Sequence, residues 1–269
     1  CFSSMHFPTD TLRKDQKMSD IIKTYAQVVA DTVAQIAGET EAIDKAAQLV
    51  ADAIKRDELV HVIGPGGHSN MAVEEVLWRA GGLAPVDAIL DAGTNVIHGA
   101  KRSNIIERCP GYGIRVLDAY GINKPGEVMI IVNAYGINSM TIDVALECRR
   151  RGLKTIGITS DSFARIVPKD APSRHPSGLN LFENVDVYVN NHLPEGDACI
   201  AVEGVSQHMG PMSTYCNCFA IDCIMMKAAE KLAADGIDPP IWMSANMPGG
   251  DAANKALEEK YFMRVKHLR

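Results

Sequence analysis

A glycine-rich turn carries the first residues of this chain whose types and spacing could do chemistry. Residues 59–75 read LVHVIGPGGHSNMAVEE, with three glycines between a short apolar run and a polar one. The apolar run is typical of a buried strand, and the residues after the turn predict a helix that Ser69 or Asn70 caps. Amide N–H groups at such a helix start carry partial positive charge, so the turn, including Gly67, predicts a bound anion or sugar oxygen. The alternative is an ordinary turn whose glycines serve geometry alone.

Acidic and imidazole side chains near this turn could move protons. Proton abstraction next to a carbonyl needs a base and an acid. Glu75 is the expected base, because desolvation beside the turn would raise its pKa, and Glu74 is its solvated partner, since adjacent helical side chains point about 100° apart. His68 and His208 lie in loops and are the expected acids. The alternative for either glutamate is an acidic residue that stabilises the helix dipole. His61 lies within the strand and is expected to be a hydrogen-bonded core residue.

A second group of polar residues is expected to hold a substrate. The turn 133–139 reads NAYGINS, and 210–214 reads GPMST ahead of a predicted helix. The segment 161–178 is too long for an idle connection in a compact domain. Amides and hydroxyls at helix starts bind anions. Together with Gly67, the expected substrate contacts are Ser69, Asn133, Tyr135, Asn138, Ser139, His175, Ser213 and Thr214.

The elements that must position these residues alternate between apolar strands and helices. Strands are predicted at 59–63, 85–90, 127–132, 154–159 and 185–189. Near-continuous apolar strands separated by helices are typical of a parallel sheet covered on both faces. Ligands bind beyond the carboxyl ends of such strands. The loops that carry the candidate residues fall at that edge: 64–70, 91–98, 133–139 and 160–178.

Helical periodicity over residues 18–57 predicts an N-terminal helical hairpin ahead of the first strand. The hairpin has more apolar surface than one face of a sheet requires, which predicts subunit contacts. Residues 1–17 show no clear periodicity and are expected to be an expression tag or a flexible arm. Residues 58–269 are expected to form the main α/β domain.

Composition narrows the function classes. The 269 residues carry a net charge of −6, so no basic surface predicts nucleic acid as a partner. No apolar run reaches the roughly 20 residues of a membrane helix. Seven cysteines without paired spacing indicate reduced thiols and a cytoplasmic location. No cofactor is expected. The loop histidines, with Asp197 and Glu203, leave a zinc or manganese site open, but no short-spaced histidine pair supports one.

Five strings in the chain carry a family resemblance: Gly66-Gly-His-Ser-Asn70, Arg79-Ala-Gly-Gly-Leu83, Ser173-Arg-His-Pro-Ser-Gly178, Gly210-Pro-Met-Ser-Thr214 and Ser244-Ala-Asn-Met-Pro-Gly-Gly-Asp251. They resemble the sugar isomerase (SIS) domain family, in particular its uncharacterised bacterial branch related to phosphoheptose isomerase-like proteins. The resemblance runs from about Ile21 to the C-terminus. It implies a three-layer α/β sandwich with a flavodoxin-like sheet of five parallel strands, a homodimer or higher oligomer, and a sugar-phosphate ligand.

Two departures from that family limit what the resemblance carries over. Relatives place a serine- and threonine-rich phosphate turn after the third strand, whereas residues 133–139 lack most of those hydroxyls and contain the bulky Tyr135. Isomerase and lyase relatives carry a glutamate ten residues beyond the serine of the first turn, where this chain has Arg79. We therefore expect an aldose–ketose isomerase that acts on an anionic sugar, phosphorylated or sulfonated, through an enediol. A sugar-phosphate lyase or etherase and a non-catalytic sugar-phosphate sensor are the alternatives.

Overall fold

A computed structural model describes residues 20–269 of the chain. Five parallel strands form the main sheet in the order β2-β1-β3-β4-β5. They are β1 (Val60–Ile63), β2 (Val86–Ile89), β3 (Val128–Val132), β4 (Lys154–Thr159) and β5 (Val187–Asn190). This is the flavodoxin-like strand order, so the predicted fold class is confirmed.

Helices connect and cover these strands. They are α1 (Ile21–Ala37), α2 (Thr40–Lys55), α3 (Asn70–Val76), α4 (Ala100–Ile106), α5 (Tyr112–Tyr120), α6 (Ser139–Arg151), α7 (Asp161–Ile166), α8 (Ser213–Ala234) and α9 (Gly250–Tyr261). Short 3₁₀ turns lie at Val96–His98, Leu181–Glu183 and Lys266–Leu268. Strands β6 (Ala198–Ile200) and β7 (Met209–Pro211) pair in an antiparallel hairpin. The sequence did not indicate this hairpin, because three residues are too few to show a period of two.

Alternation along the buried strands separates two apolar layers. In β3, Val128 and Ile130 pack in the core formed with α1, α2, α3 and α8. Met129 and Ile131 point to the other face and pack against α5 and α6. Both faces are covered, which explains why these strands are apolar throughout.

The two N-terminal helices form the predicted pair. Asp20 caps α1 by accepting hydrogen bonds from the Ile22 and Lys23 amides at 3.2 and 3.4 Å. Ala47 and Val50 of α2 are fully buried in the same core as the sheet, so this apolar face is covered by the chain itself. The predicted arm at 1–17 lies outside the described residues. Within residues 20–269, no helix has both the length and the apolar character needed to cross a membrane.

The sequence pattern predicts a helix that continues over residues 71–79, and helix α3 is shorter than this. It ends at Val76, and Trp78 follows in a left-handed backbone conformation with φ of 52°. The Trp78 ring packs on Trp242 with centroids 4.7 Å apart. This tertiary contact stabilises a conformation that a bulky residue rarely adopts, and it ends the helix ahead of Arg79.

Candidate functional site

A cavity of about 410 Å³ opens at the carboxyl edge of the sheet. Its walls are the turn after β1, residues of the 96–108 segment, the turn after β3, and side chains that include Phe163, Ser173, Asp197 and Ser213. All four loops that the sequence places at this edge contribute to it. The carboxyl ends of parallel strands meet at one edge, which brings together residues far apart in the chain.

Two asparagines fasten the glycine-rich turn to the turn after β3. The Nδ2 atoms of Asn133 and Asn138 donate to the Pro65 carbonyl at 2.6 and 2.8 Å. Asn133 Oδ1 accepts the Gly136 amide at 2.8 Å, and Asn138 Oδ1 accepts the Thr141 amide, which caps α6, at 2.8 Å. Both residues line the cavity, but their polar atoms are occupied in joining the two turns. Their contribution is to shape the cavity wall.

The close approach of these turns requires glycine at two positions. A Cβ on Gly64 would lie 2.3 Å from the Ser69 carbonyl oxygen, so the chain folds back over this residue. Gly66 has φ of +141°, and a Cβ there would lie 2.7 Å from Oε2 of Glu107. The glycines therefore let the backbone reach both α3 and a carboxylate of another segment.

Glu107 is the acidic residue that the structure places in the cavity wall beside this turn. The Gly67 N–H lies near its carboxylate, and the Met140 amide donates to its backbone carbonyl at 2.9 Å. Burial raises the pKa of Glu107 above its ordinary value, and the charge of Arg108 and the Gly67 N–H oppose this in part. A carboxyl group with a raised pKa in a cavity is a candidate general base.

The sequence alone did not single out Glu107. It lies at the end of α4, about forty residues after the glycine-rich turn, in a stretch of mixed charge that is typical of a solvated helix face. Its position beside the glycine-rich turn results from contacts with distant parts of the chain, such as the hydrogen bond from the Met140 amide to its carbonyl. The one local signal is that Glu107 follows the loop at 91–98, which the strand pattern places at the same edge.

Glu75 and Glu74 lie outside the cavity lining. Glu75 Oε1 pairs with Arg79 Nε at 3.0 Å on the outer side of α3. Burial, and next the charge of Glu75, raise the pKa of Asp222 in α8 to about 6, which places Glu75 near that helix. Glu74 is exposed and accepts a hydrogen bond from Asn95 Nδ2 at 3.1 Å. Glu75, the base expected from the sequence, therefore faces α8 and lies outside the cavity lining.

The candidate histidines are separated from one another. His68 is exposed and lines the cavity. His208 lies exposed just before β7, away from the cavity lining. His175 Nε2 lies 3.3 Å from Asp143 Oδ1, and its Nδ1 lies 2.7 Å from Ser177 Oγ. Within residues 20–269, no three His, Cys, Asp or Glu side chains are grouped as a metal site requires.

Charge in the cavity wall comes from few residues. All lining residues lie within residues 20–269, and Arg108 supplies the one permanent positive charge among them. Glu107 and Asp197 are the carboxylates. Ser69 is buried and stands at the N-cap position of α3, but its hydroxyl does not cap that helix. Its hydroxyl is therefore available to a ligand.

Comparison with known proteins identifies the family. Residues 24–160, which run from α1 through β4, match the family model of the SIS domain. The chain belongs to the SIS domain family. A UPF0309 protein of Geobacillus kaustophilus is 36% identical over 230 residues, which cover 86% of this chain and 89% of that protein. A UPF0309 protein of Brucella anthropi is 36% identical over 242 residues, 88% of this chain and 96% of that protein.

A solved structure shares the fold of this SIS domain. The structure of a phosphoheptose isomerase from Francisella tularensis has a TM-score of 0.51 and covers 80% of this chain and 99% of that chain. Its sequence is 14% identical to this one, so the likeness shows the fold alone. The resemblance predicted from the five sequence strings is confirmed.

The start of α8 in this SIS domain is capped by the chain itself. Asp197 Oδ1 accepts the Met212 and Ser213 amides at 2.9 and 2.7 Å, and its Oδ2 accepts the Ser213 hydroxyl at 3.0 Å. Ser213 lines the cavity with its polar groups already paired. Thr214 Oγ1 donates to Met71 Sδ at 3.2 Å and lies outside the lining. Ser139, at the start of α6, is buried and also lies outside it.

An aromatic wall completes the cavity of the SIS domain. The rings of Tyr135 and Phe163 pack with centroids 4.5 Å apart, and the Tyr135 hydroxyl donates to the Pro194 carbonyl at 3.0 Å. Phe163 is held because the buried Arg174 guanidinium donates to the carbonyls of Ala164 and Val167. The 161–178 segment is thus an anchored part of the wall.

Proposed function

We propose that this SIS domain is an aldose–ketose isomerase, which acts on a sugar bearing an anionic group and proceeds through an enediol. The observation that carries the proposal is Glu107, a half-buried carboxyl with a raised pKa beside the glycine-rich turn. A base of this kind is what abstraction of a proton next to a carbonyl needs near neutral pH.

Glu107 removes the proton in this proposal, and His68 serves the neighbouring sugar oxygen. The Glu107 carboxylate faces the glycine-rich turn, since a Cβ on Gly66 would lie 2.7 Å from its Oε2. His68 is exposed at the cavity wall, where it can exchange protons with solvent. Arg108 and the Ser69 hydroxyl hold the anionic group. The Tyr135 and Phe163 rings supply an apolar surface for sugar C–H groups.

Sugar phosphates are the first substrates to test, because a protein of known structure that shares this fold is named a phosphoheptose isomerase. The test is a thermal-shift screen of hexose, pentose, heptose and amino-sugar phosphates, with sulfonated and unphosphorylated sugars alongside. A ligand at 100 times its Kd adds about 2.7 kcal/mol of stability. Each hit is then incubated in D₂O and followed by NMR.

We expect deuterium to enter at the carbon next to the carbonyl as the aldose and ketose interconvert. Stabilisation without deuterium exchange or turnover would contradict the isomerase and indicate a sensor. Loss of a substituent from the sugar, in place of interconversion, would indicate a lyase. No stabilisation by any sugar would overturn the ligand class as well.

We also propose a homo-oligomer whose interface lies near the cavity. Ile22 of α1, Met209 of β7 and Tyr215 of α8 are large apolar side chains with exposed fractions of 76%, 57% and 49%. The Tyr25 and Tyr215 rings are in contact, with centroids 6.2 Å apart, so this apolar surface spans α1 and α8. A surface of this kind is typical of protein contacts. Sedimentation equilibrium should give a dimer or larger species, and Tyr215→Lys should weaken it; a monomeric wild-type chain would contradict the proposal.

A further inference from the structure

Two long helices begin at the cavity, and the chain fills both of their N-termini with its own groups. At α6, Asn138 Oδ1 caps the Thr141 amide, and the Met140 amide donates to the Glu107 carbonyl. At α8, the Asp197 carboxylate accepts two amides and a hydroxyl. Helix starts are where an incoming anion is normally stabilised. Here the α8 start already carries a full negative charge.

The charges of the cavity wall come from opposite edges of the sheet. Arg108 belongs to the segment that follows β2, and Asp197 to the segment that follows β5. These are the two edge strands in the order β2-β1-β3-β4-β5. Both residues nevertheless line one cavity. A ligand that fills the cavity therefore meets Arg108, beside Glu107, from one edge and the Asp197 carboxylate from the other.

The aromatic wall lies next to the negative side. The Asp197 charge contributes, after burial, to raising the pKa of Tyr135, so the two side chains are close. Tyr135 also donates its hydroxyl to Pro194, three residues before Asp197. The surface near α8 thus combines an aromatic ring with a carboxylate. Rings of this kind pack on C–H groups, and carboxylates accept hydrogen bonds from hydroxyls.

We propose that Asp197 is a specificity-determining residue that excludes an anionic group from the α8 side of the cavity. The substrate then binds with its anionic group toward Arg108 and an uncharged, hydroxyl-bearing end toward Asp197 and Tyr135. This inference rests on the proposed function, because it orients the substrate of that same site. It assigns Asp197 as the residue that sets the orientation of the sugar in the cavity.

Inorganic phosphate is the probe, and its affinity is measured by isothermal titration calorimetry on the full chain. Asp197→Asn keeps an oxygen that can cap α8 and removes the charge. Phosphate carries between one and two negative charges near neutral pH, so we expect Asp197→Asn to bind it at least tenfold more tightly than the wild type. Asp197→Glu keeps the charge and should retain the weaker wild-type affinity.

Asp186→Asn is the matched control. Asp186 Oδ2 accepts the Thr155 amide at 2.7 Å and the Thr155 hydroxyl at 3.0 Å, and it lies outside the cavity lining. Its replacement removes the same charge from a carboxylate that likewise accepts an amide and a hydroxyl, so phosphate affinity should stay at the wild-type value. An equal gain in Asp186→Asn, or unchanged or weaker binding in Asp197→Asn, would overturn the assignment.

Arg108→Gln tests the other side and does not disturb the α8 cap. We expect Arg108→Gln to bind phosphate at least tenfold more weakly than the wild type does. An unchanged affinity would overturn the proposed orientation. Circular dichroism establishes that each variant is folded. None of these titrations depends on turnover. Absence of deuterium exchange with every sugar would therefore overturn the proposed isomerase activity, whereas the phosphate titrations test the Asp197 assignment.

Discussion

Glu107→Gln should lower kcat at least 100-fold and leave substrate affinity within a few-fold of the wild type. Glutamine matches glutamate in size, so the cavity keeps its shape. Its amide cannot take a proton, and general-base contributions are typically about 100-fold to 10,000-fold. The measurement is steady-state kinetics on the sugar that the screen identifies, with Kd determined separately by titration. A loss of binding with unchanged kcat would contradict the role.

Glu75→Gln is the matched control for this prediction. The substitution is chemically identical, but Glu75 pairs with Arg79 on the outer side of α3. We expect kcat to stay within about threefold of the wild type, as for a residue outside the cavity. The opposite pattern, with normal turnover in Glu107→Gln and a large loss in Glu75→Gln, would assign the base to α3.

The same assignment predicts the position of the acid limb of the pH profile. A general base acts when it is deprotonated, so activity falls as the pH drops through its pKa. Burial raises the pKa of Glu107 above the ordinary glutamate value of 4.5. The acid limb of kcat/KM should therefore lie above pH 4.5, and it should vanish from the residual activity of Glu107→Gln.

The second large effect concerns the stability of the fold and the buried His61. Its Nδ1 lies 2.8 Å from Asp87 Oδ2 on the neighbouring strand β2, and its Nε2 lies 3.5 Å from Glu127 Oε2. Burial lowers the pKa of His61, but the hydrogen bond to Asp87 and the charges of Asp87 and Glu127 outweigh it and raise the pKa from 6.5 to about 9. The charged imidazolium is thus more stable in the folded chain than in the unfolded one.

Linkage gives the sign and the pH window of this effect. Because the folded pKa is the higher one, the contribution is fully present below the unfolded value of 6.5 and is lost as the pH rises through about 9. A difference of this size corresponds to about 3 kcal/mol of unfolding free energy. Urea unfolding at pH 6.5 and at pH 9.5 measures it.

Asp87→Asn is the variant that isolates the pair. It removes the charge that favours the imidazolium, so we expect a lower unfolding free energy at pH 6.5 and less than half of the wild-type loss between pH 6.5 and 9.5. Other groups titrate in both proteins, and the comparison cancels them. An equal pH dependence in wild type and variant would show that His61 is not the group responsible.

Much of the architecture could be predicted from the sequence. The five strands lie within about two residues of the positions that their apolar runs indicate, because burial of both faces leaves a local signal. Alternation with helices implied a parallel sheet, and a parallel sheet places its loops at one edge. The assignment of His61 to the core followed from its alternation with apolar residues, and the structure confirms that it is buried.

The direction of individual side chains could not be predicted in this way. Glu75 follows the glycine-rich turn in the chain, but its position on α3 turns it toward Arg79 and α8. Glu107 is distant in the chain, but its carboxyl lies against the glycine-rich turn. Asn138 looked like an anion ligand and instead donates to the Pro65 carbonyl.

The sequence by itself therefore determined the family, the order of the elements and the edge of the sheet at which the candidate site forms. These follow from periodicity and connectivity, which are local properties of the chain. The tertiary structure alone decided that Glu107 faces the cavity, that Glu75 does not, and that Asp197 closes the start of α8. Those outcomes depend on how helices rotate and pack against the sheet, and that rotation is set by the sum of many contacts between distant residues.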